Sequence, residues 1–363
     1  MLDRITLTDF RNHVGTALDG TARFNLLAGE NGAGKTNVLE ALSLLTPGRG
    51  LRRATLPDMV RSGGGGGFAV GASLDTGRGE PVRLGTYVRA ERPTRRLVRI
   101  NESEASALAL GEWLSVSWLT PAMDRLFTDG AGARRRMLDR MTLALDPSHA
   151  ATATRYEAAL RERNRLLTDA AEAGRPPDPS WLDGIEAQLA QHGARLAAGR
   201  AATVDALQVR LQQEPEEPFA RPALAYVPGG PIAADDLAAA LRDQRGRDLA
   251  ARRTLTGPHR DELGVTLTAK GMPAANCSTG EQKALLIAIT LAHAQLAAAG
   301  RASVLLLDEV AAHLDPVRRE AMFARLRDGG SQVWLTGTEQ APFAAIAQEA
   351  AVWEVVDGMP RRC

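Results

Sequence analysis

A chain of 363 residues, 44% hydrophobic and 24% charged, carries enough apolar material for two cores or for one large lobe with an insertion. No apolar run approaches the roughly 18 residues that a bilayer span needs. The start, Met1-Leu2-Asp3-Arg4-Ile5, lacks the basic-then-apolar pattern of a secretory leader, and Cys277 and Cys363 form neither a disulfide framework nor a metal-ligand spacing, so a cytoplasmic protein is expected. A net charge of +1 gives no global argument for a polyanionic partner, so any such binding must come from local patches.

In chain order, Ile5, Leu7 and Phe10 lie in a short β-like run, and Phe24–Ala28 is a compact apolar run of buried-strand length. Glycines follow at once, and then Val38, Leu39, Ala41, Leu42 and Leu45 recur at helical spacing. A five-glycine run, Gly63 to Gly67, reads as a mobile loop. Val82, Leu84, Thr86 and Val88 alternate, and with Arg95 to Ile100 they predict antiparallel strands; Ser115–Leu119 is a further short strand.

The middle of the chain changes character. Tyr156, Leu160 and Leu167 mark one helix, and Trp181, Ile185, Leu189, Leu196, Leu207 and Leu211 mark a longer one. The proline-rich break from Gly174 to Ser180 lies between them. At 1.5 Å per residue these helices would run roughly 30 and 45 Å, as an antiparallel hairpin whose seam is too irregular for a long coiled coil. From about Leu255 strands and helices alternate again. The expected architecture is therefore α/β: a nucleotide-binding head with an antiparallel β layer, plus an inserted, mainly helical domain. Residues 1–120 and 251–363 would form the two halves of the head, and 121–250 the insertion.

The chemistry concentrates at the two ends. Gly29-Glu30-Asn31-Gly32-Ala33-Gly34-Lys35-Thr36 is a complete phosphate loop between a strand and a helix. Backbone N–H groups of such a turn converge on an anion, Lys35 adds a charge at the β/γ-phosphates, and the Thr36 hydroxyl is placed for Mg²⁺. Val304 to Leu307 would deliver Asp308 and Glu309 at the C-terminal edge of a buried strand, with Asp308 toward Mg²⁺ and Glu309 toward the attacking water. Ser278-Thr279-Gly280-Glu281-Gln282 opens a helical run. Alone it reads as an ordinary cap, while its place about thirty residues before the acidic strand points to function.

This combination resembles the ATP-binding cassette ATPases. The resemblance implies that Ser278 and Gly280, within the signature from Ser278 to Gln282, complete the phosphate loop of a second copy. It also makes His313-Leu314-Asp315 the D-loop and implies ATP-dependent dimerisation released by hydrolysis. Leu7-Thr8-Asp9-Phe10-Arg11-Asn12-His13 is similar to the start of the chromosome-maintenance-type members, which assigns Arg11 and Asn12 to the nucleotide. Arg134-Arg135-Arg136-Met137-Leu138-Asp139, Gly257-Pro258-His259-Arg260-Asp261 and Ser278-Thr279-Gly280-Glu281-Gln282-Lys283 match segments of the RecF family of bacterial recombination proteins.

That likeness implies ATP and Mg²⁺ as cofactors, and single- and double-stranded DNA as ligands. It further implies action with RecR and RecO in loading the recombinase RecA, support of the SOS response, and no membrane partner. By charge alone, Arg49, Arg52, Arg53, Arg95 and Arg96 are DNA candidates, whereas Arg134 to Arg136 read equally as DNA contacts or as braces of the helical domain. Three departures stand out: Thr279 occupies a position that is usually glycine, Leu119 to Asp124 holds no glutamine loop, and Thr336-Gly337-Thr338 replaces a switch histidine. The missing switch group, which would sense the γ-phosphate, predicts slow hydrolysis. The alternative, the ATP-binding subunit of a membrane transporter, fits poorly with those losses and with the helical insertion.

Overall fold

The structure is a computed structural model that describes every residue except Arg78, together with every side chain except that of His313. The chain divides into two compact units. One comprises Met1–Asp124, Pro215–Phe219 and Leu286–Cys363; the other comprises Arg125–Glu214 and Ala220–Leu285. Residues 251–285, which the sequence reading placed in the head, thus cluster with the second unit. They are drawn there by strand pairing within that unit, which no local pattern reveals.

The first unit begins with β1 (Leu2–Phe10), β2 (His13–Asp19) and β3 (Phe24–Ala28), then α1 (Lys35–Ser43) and the short α2 (Leu56–Met59). Next come β4 (Phe68–Leu74), β5 (Val82–Val88), β6 (Arg96–Ile100), β7 (Ser103–Ala105), α3 (Leu110–Trp113) and β8 (Leu114–Leu119). The second unit holds α4 (Ala131–Leu145), α5 (Ser148–Glu172), α6 (Pro179–Gln213), β9 (Pro222–Val227), α7 (Ala234–Asp243), α8 (Arg245–Ala251), β10 (Glu262–Leu267), β11 (Met272–Pro273) and the start of α9 (Thr279–Ala297). The chain then completes the first unit with β12 (Ala302–Leu307), α10 (Pro316–Asp328), β13 (Gln332–Gly337), β14 (Ala350–Val356) and β15 (Met359–Arg362).

Two six-stranded sheets share one core in the first unit. One is antiparallel, in the order β2-β1-β4-β5-β6-β7. The other runs β15-β14-β3-β13-β12-β8, parallel except at the β15 edge. Ile5, Leu7, Val70 and Leu84 of the first sheet join Leu27, Leu306 and Trp334 of the second and Val38, Leu39 and Leu42 of α1 in a single buried cluster. Because side chains alternate along a strand, the same packing turns Thr6, Thr8, Ala69, Gly71 and Gly85 to the opposite face of the antiparallel sheet. The run Gly63–Gly67 is held rather than loose: the Gly64 N–H bonds to the Arg61 carbonyl at 3.0 Å, and a side chain on Gly67 would lie 2.3 Å from the Val88 carbonyl oxygen.

In the second unit α5 and α6 form the expected hairpin. Arg163 meets Glu186, Tyr156 meets Gly193 and His149 meets Gly199, so the two chains run in opposite directions. With 25 and 35 residues the helices are longer than the apolar seam suggested; Asp178 caps the start of α6, accepting the Ser180 N–H. Arg163 is wholly buried and reaches Glu186 at 2.9 Å, Asp248 at 2.6 Å and the Thr254 hydroxyl at 2.9 Å. Arg200 binds Asp139 and Asp261, both at 2.8 Å. A buried charge is tolerable only when paired in this way.

Candidate functional site

The site grows from the ends of β3, β12 and β13 in the parallel sheet, at the carboxyl edge where α/β folds bind ligands. The Gly29 N–H donates to the Gly337 carbonyl at 3.2 Å, tying the start of the phosphate loop to the end of β13. Gly32 and Gly34 adopt left-handed backbone, with φ of 86° and 113°, and a side chain at Gly34 would lie 2.7 Å from the Asn12 amide. Among the described residues, no acceptor is found for the N–H groups of Gly32, Gly34, Lys35 and Thr36. Four such donors at a helix start fit a polyphosphate.

The loop is braced from behind. The Ala33 carbonyl accepts from Asn12 Nδ2 at 3.0 Å and from the Gly358 N–H at 2.8 Å, while Asn37 Nδ2 donates to Asn12 Oδ1 at 2.7 Å. Buried His13 reaches the Gly34 carbonyl at 3.2 Å and the Thr16 hydroxyl at 3.0 Å, and burial lowers its pKa. Arg11 donates from two nitrogens to the Glu40 carboxylate, both at 2.8 Å, and from a third to the Asp58 carbonyl at 2.7 Å. Glu40, an acid with no exposure on the buried side of α1, is a residue that sequence reasoning passed over; a charge within an apolar helical face was the available signal. Asn12 is thus placed where it holds the loop, and Arg11 where it ties α1 to α2.

Lys35 donates to the Gly29 and Glu30 carbonyls at 2.7 and 2.8 Å. Burial lowers its pKa, and the nearby carboxylates of Glu309 and Asp308 act in the opposite direction. Thr36 Oγ1 donates to Asp308 Oδ1 at 2.8 Å, joining the two ends of the chain. Thr336 Oγ1 donates to the same oxygen at 2.8 Å and accepts the Glu309 N–H at 2.9 Å. Glu309 itself sits at a φ of 54°, a conformation that costs a non-glycine residue about 1 kcal/mol or more. A hydroxyl and a carboxylate suit Mg²⁺, which binds through one or two carboxylates together with substrate phosphates. Among the described residues no cluster of three His, Cys, Asp or Glu side chains would cage a metal without phosphate.

Thr336 was noted in the sequence only as part of a replacement for histidine. In the structure its hydroxyl is part of the site, and the next residue, Gly337, packs so closely that a side chain there would fall 2.4 Å from the Phe343 ring. Thr336→Val keeps the shape but removes the hydroxyl that links Asp308 to the Glu309 backbone. It is expected to slow ATP turnover about tenfold, the equivalent of one hydrogen bond to a charged group, with ATP affinity unchanged by titration calorimetry. Wild-type turnover in this variant would remove Thr336 from the machinery.

Ser278 caps α9 with Glu281 in a reciprocal capping box. Glu281 accepts from the Ser278 N–H and hydroxyl, both at 2.9 Å, and from Lys270 at 2.5 Å; Lys270 first and then Ser278 bring its pKa down to about 2. Buried Gln282 donates to the Cys277 carbonyl at 3.0 Å, whereas Thr279 and Gly280 are exposed at the helix tip. Asp315 caps α10, accepting the Arg318 N–H at 3.0 Å; the His313 side chain lies outside the described residues.

The arginines divide. Arg96 is not a surface DNA contact: it donates to Thr86 Oγ1 at 2.7 Å and to the Leu44, Thr46 and Gly48 carbonyls, and burial brings its pKa to about 10. Arg52 is tied to Glu40 and Asn37, at 3.0 and 2.6 Å. Arg49, Arg53 and Arg95 are exposed. Arg134 grips Glu262 with two bonds of 2.8 Å, and Arg135 donates to the Asp261 carbonyl, so these two brace the second unit.

A family model described as the RecF/RecN/SMC N-terminal domain matches residues 1–359. The DNA replication and repair protein RecF of Rhizobium leguminosarum bv. trifolii is 47% identical over 371 residues, covering 98% of this chain and 97% of its own. The protein of the same name from Brucella abortus is 46% identical over 367 residues, covering 98% and 94%. Among solved structures, the recombination mediator protein RecF with ATPrS, in the RecFOR pathway, superposes with a TM-score of 0.88 at 21% identity, over 100% of this chain and 98% of that one. An Smc head domain from Pyrococcus furiosus, bound to the C-terminal domain of ScpA, gives a TM-score of 0.54 at 14% identity, over 100% and 95%. The fold is that of the cassette and chromosome-maintenance ATPase heads.

Proposed function

The chain belongs to the RecF family, within the RecF/RecN/SMC N-terminal-domain group, and from that premise we propose an ATP-dependent DNA-binding protein of recombinational repair and replication. The observation that carries this reading is the 2.8 Å bond from Thr36 to Asp308, which brings the phosphate loop and the acidic strand end into one site. The N–H groups of Gly32, Gly34, Lys35 and Thr36 and the Lys35 ammonium hold the phosphates of ATP, and Thr36 with Asp308 holds Mg²⁺. The bound ion supplies neutralisation of phosphate charge. Glu309, its backbone anchored by Thr336, orients the attacking water.

In this reading the exposed tip of α9 at Ser278, Thr279 and Gly280 completes the phosphate site of a second copy, with Asp315 beside it. ATP closes a homodimer on single- or double-stranded DNA, and slow, DNA-dependent hydrolysis opens it. RecR and RecO act with it in loading RecA at gaps, in support of the SOS response, in the cytoplasm. No helix among the described residues is long and apolar enough to cross a membrane.

The test is ATP turnover with and without DNA, measured alongside light scattering with and without Mg·ATP. The expected result is a dimer that forms only with ATP, with DNA-stimulated turnover below about one per second, under the typical enzyme median. Lys35→Ala should abolish both. A protein that stays monomeric at saturating Mg·ATP on DNA while hydrolysing normally would refute the clamp.

A further inference from the structure

The outward face of the antiparallel sheet carries a hollow of about 1140 Å³. Its floor is made by missing side chains. Gly71 of β4 pairs directly with Gly85 of β5, so two adjacent strands present nothing above the backbone at one level, and Thr6 of β1 beside Gly71 adds only a short hydroxyl side chain. Glycine inside a strand weakens it and often marks close approach by another backbone. Gly71 has an internal explanation, since a side chain there would lie 2.7 Å from Thr6 Oγ1. Gly85 has none: a Cβ added to it meets nothing nearer than 3.9 Å, and its backbone is ordinary extended chain.

The wall of the hollow is cationic. Arg89 and Arg99 lie over the Tyr87 ring, with Cζ 5.7 and 5.5 Å from its centroid, and Arg92 lines the same hollow. Stacking on an aromatic ring orders a guanidinium while leaving its N–H edges available. Among the described residues none of these three arginines has an ion-pair partner. Of the two acids lining the hollow, Asp9 is already bound to Arg61 at 2.6 Å, leaving Glu91 against three cations.

We propose that this hollow seats the sugar–phosphate backbone of DNA, with Arg89, Arg92 and Arg99 on phosphates and the Gly71–Gly85 floor admitting the strand. The proposal rests on the DNA-binding reading above and adds the place of contact, which the charge pattern of the sequence put partly on Arg52 and Arg96. Arginine and hydroxyl donors are among the groups by which proteins hold phosphate backbones. An acidic protein segment would share the charge, but the Gly71–Gly85 floor presents it no side chain to anchor on, and the Tyr87 ring on this face is already covered by Arg89 and Arg99.

The test uses the full-length protein with Mg·ATP and fluorescein-labelled DNA, single-stranded and duplex, by anisotropy across a salt series. Arg89→Ala with Arg99→Ala is expected to weaken binding about tenfold and to flatten the salt slope by about two, at roughly 0.9 for each phosphate that is no longer neutralised. Gly85→Leu fills the floor without changing charge, its Cβ meeting nothing nearer than 3.9 Å, and is expected to weaken binding about tenfold with the slope retained. ATP affinity and melting temperature report that each variant is folded. Wild-type affinity and slope in both variants would overturn the proposal, as would unchanged DNA binding together with loss of a protein partner. If the unaltered protein binds no DNA at all, the functional reading fails instead.

Discussion

Glu309→Gln is expected to bind ATP with unchanged affinity, to lose at least about a hundredfold of turnover, and to persist as an ATP-bound dimer. The amide keeps the shape of the carboxylate, and the anchor of this residue is its backbone N–H on Thr336, which the substitution does not touch. What disappears is the charge that would orient and polarise water. Ser278→Arg is the necessary contrast. It leaves the Lys35 loop intact but removes the cap of α9 and places a bulky cation where a second copy would dock, so ATP should bind without forming dimers. Removing the cap costs about 1 kcal/mol, which melting measures separately. Single-turnover hydrolysis and light scattering distinguish the two variants. If both behave alike, the two-copy site is wrong.

The second large effect belongs to the helical unit. Arg163→Met is expected to destabilise the helical unit by about 3–5 kcal/mol, because it takes one cation from Glu186 and strands Asp248 as a buried carboxylate. Glu186 keeps Arg245 at 2.6 Å, but among the described residues Asp248 keeps only neutral donors such as the Leu255 N–H at 3.0 Å. For a domain of this size each kcal/mol lowers the melting temperature by about 2–4 °C, so the fall should reach on the order of 10 °C. An orphaned buried carboxylate has a raised pKa, so its penalty is present above that pKa and relieved below it. The deficit should therefore shrink as the pH falls. Adding Asp248→Leu should restore part of the stability at neutral pH. Calorimetry that found the single variant as stable as the wild type would mean that the network contributes nothing net.

Much of the local geometry at the candidate site was legible from the sequence, for a physical reason. A phosphate loop is a local device: a strand, a glycine turn and a helix start supply donors, dipole and hydroxyl within eight residues, from Gly29 to Thr36. The strand Ala302–Leu307 with Asp308 and Glu309 is equally self-contained, and so is the capping pair of Ser278 and Glu281. The helical hairpin followed from periodicity and a proline-rich break.

The roles of the arginines belonged to the tertiary structure. A guanidinium is the same group in every context, and what it does depends on the acceptors that a distant segment brings to it. Arg96 became a brace because the Leu44, Thr46 and Gly48 carbonyls close around it, and Arg134 because β10 delivers Glu262. The motif ending in Asp261 likewise turned out to be a buried lattice: Arg200, the Tyr226 hydroxyl and the Gly229 N–H all converge on that carboxylate. Thr336 is the clearest case. Nothing within β13 marks it, and only parallel pairing with β12 sets its hydroxyl between Asp308 and the Glu309 backbone. Local chemistry is written in short runs of residues, whereas pairing between groups far apart in the chain exists only once the sheets have assembled.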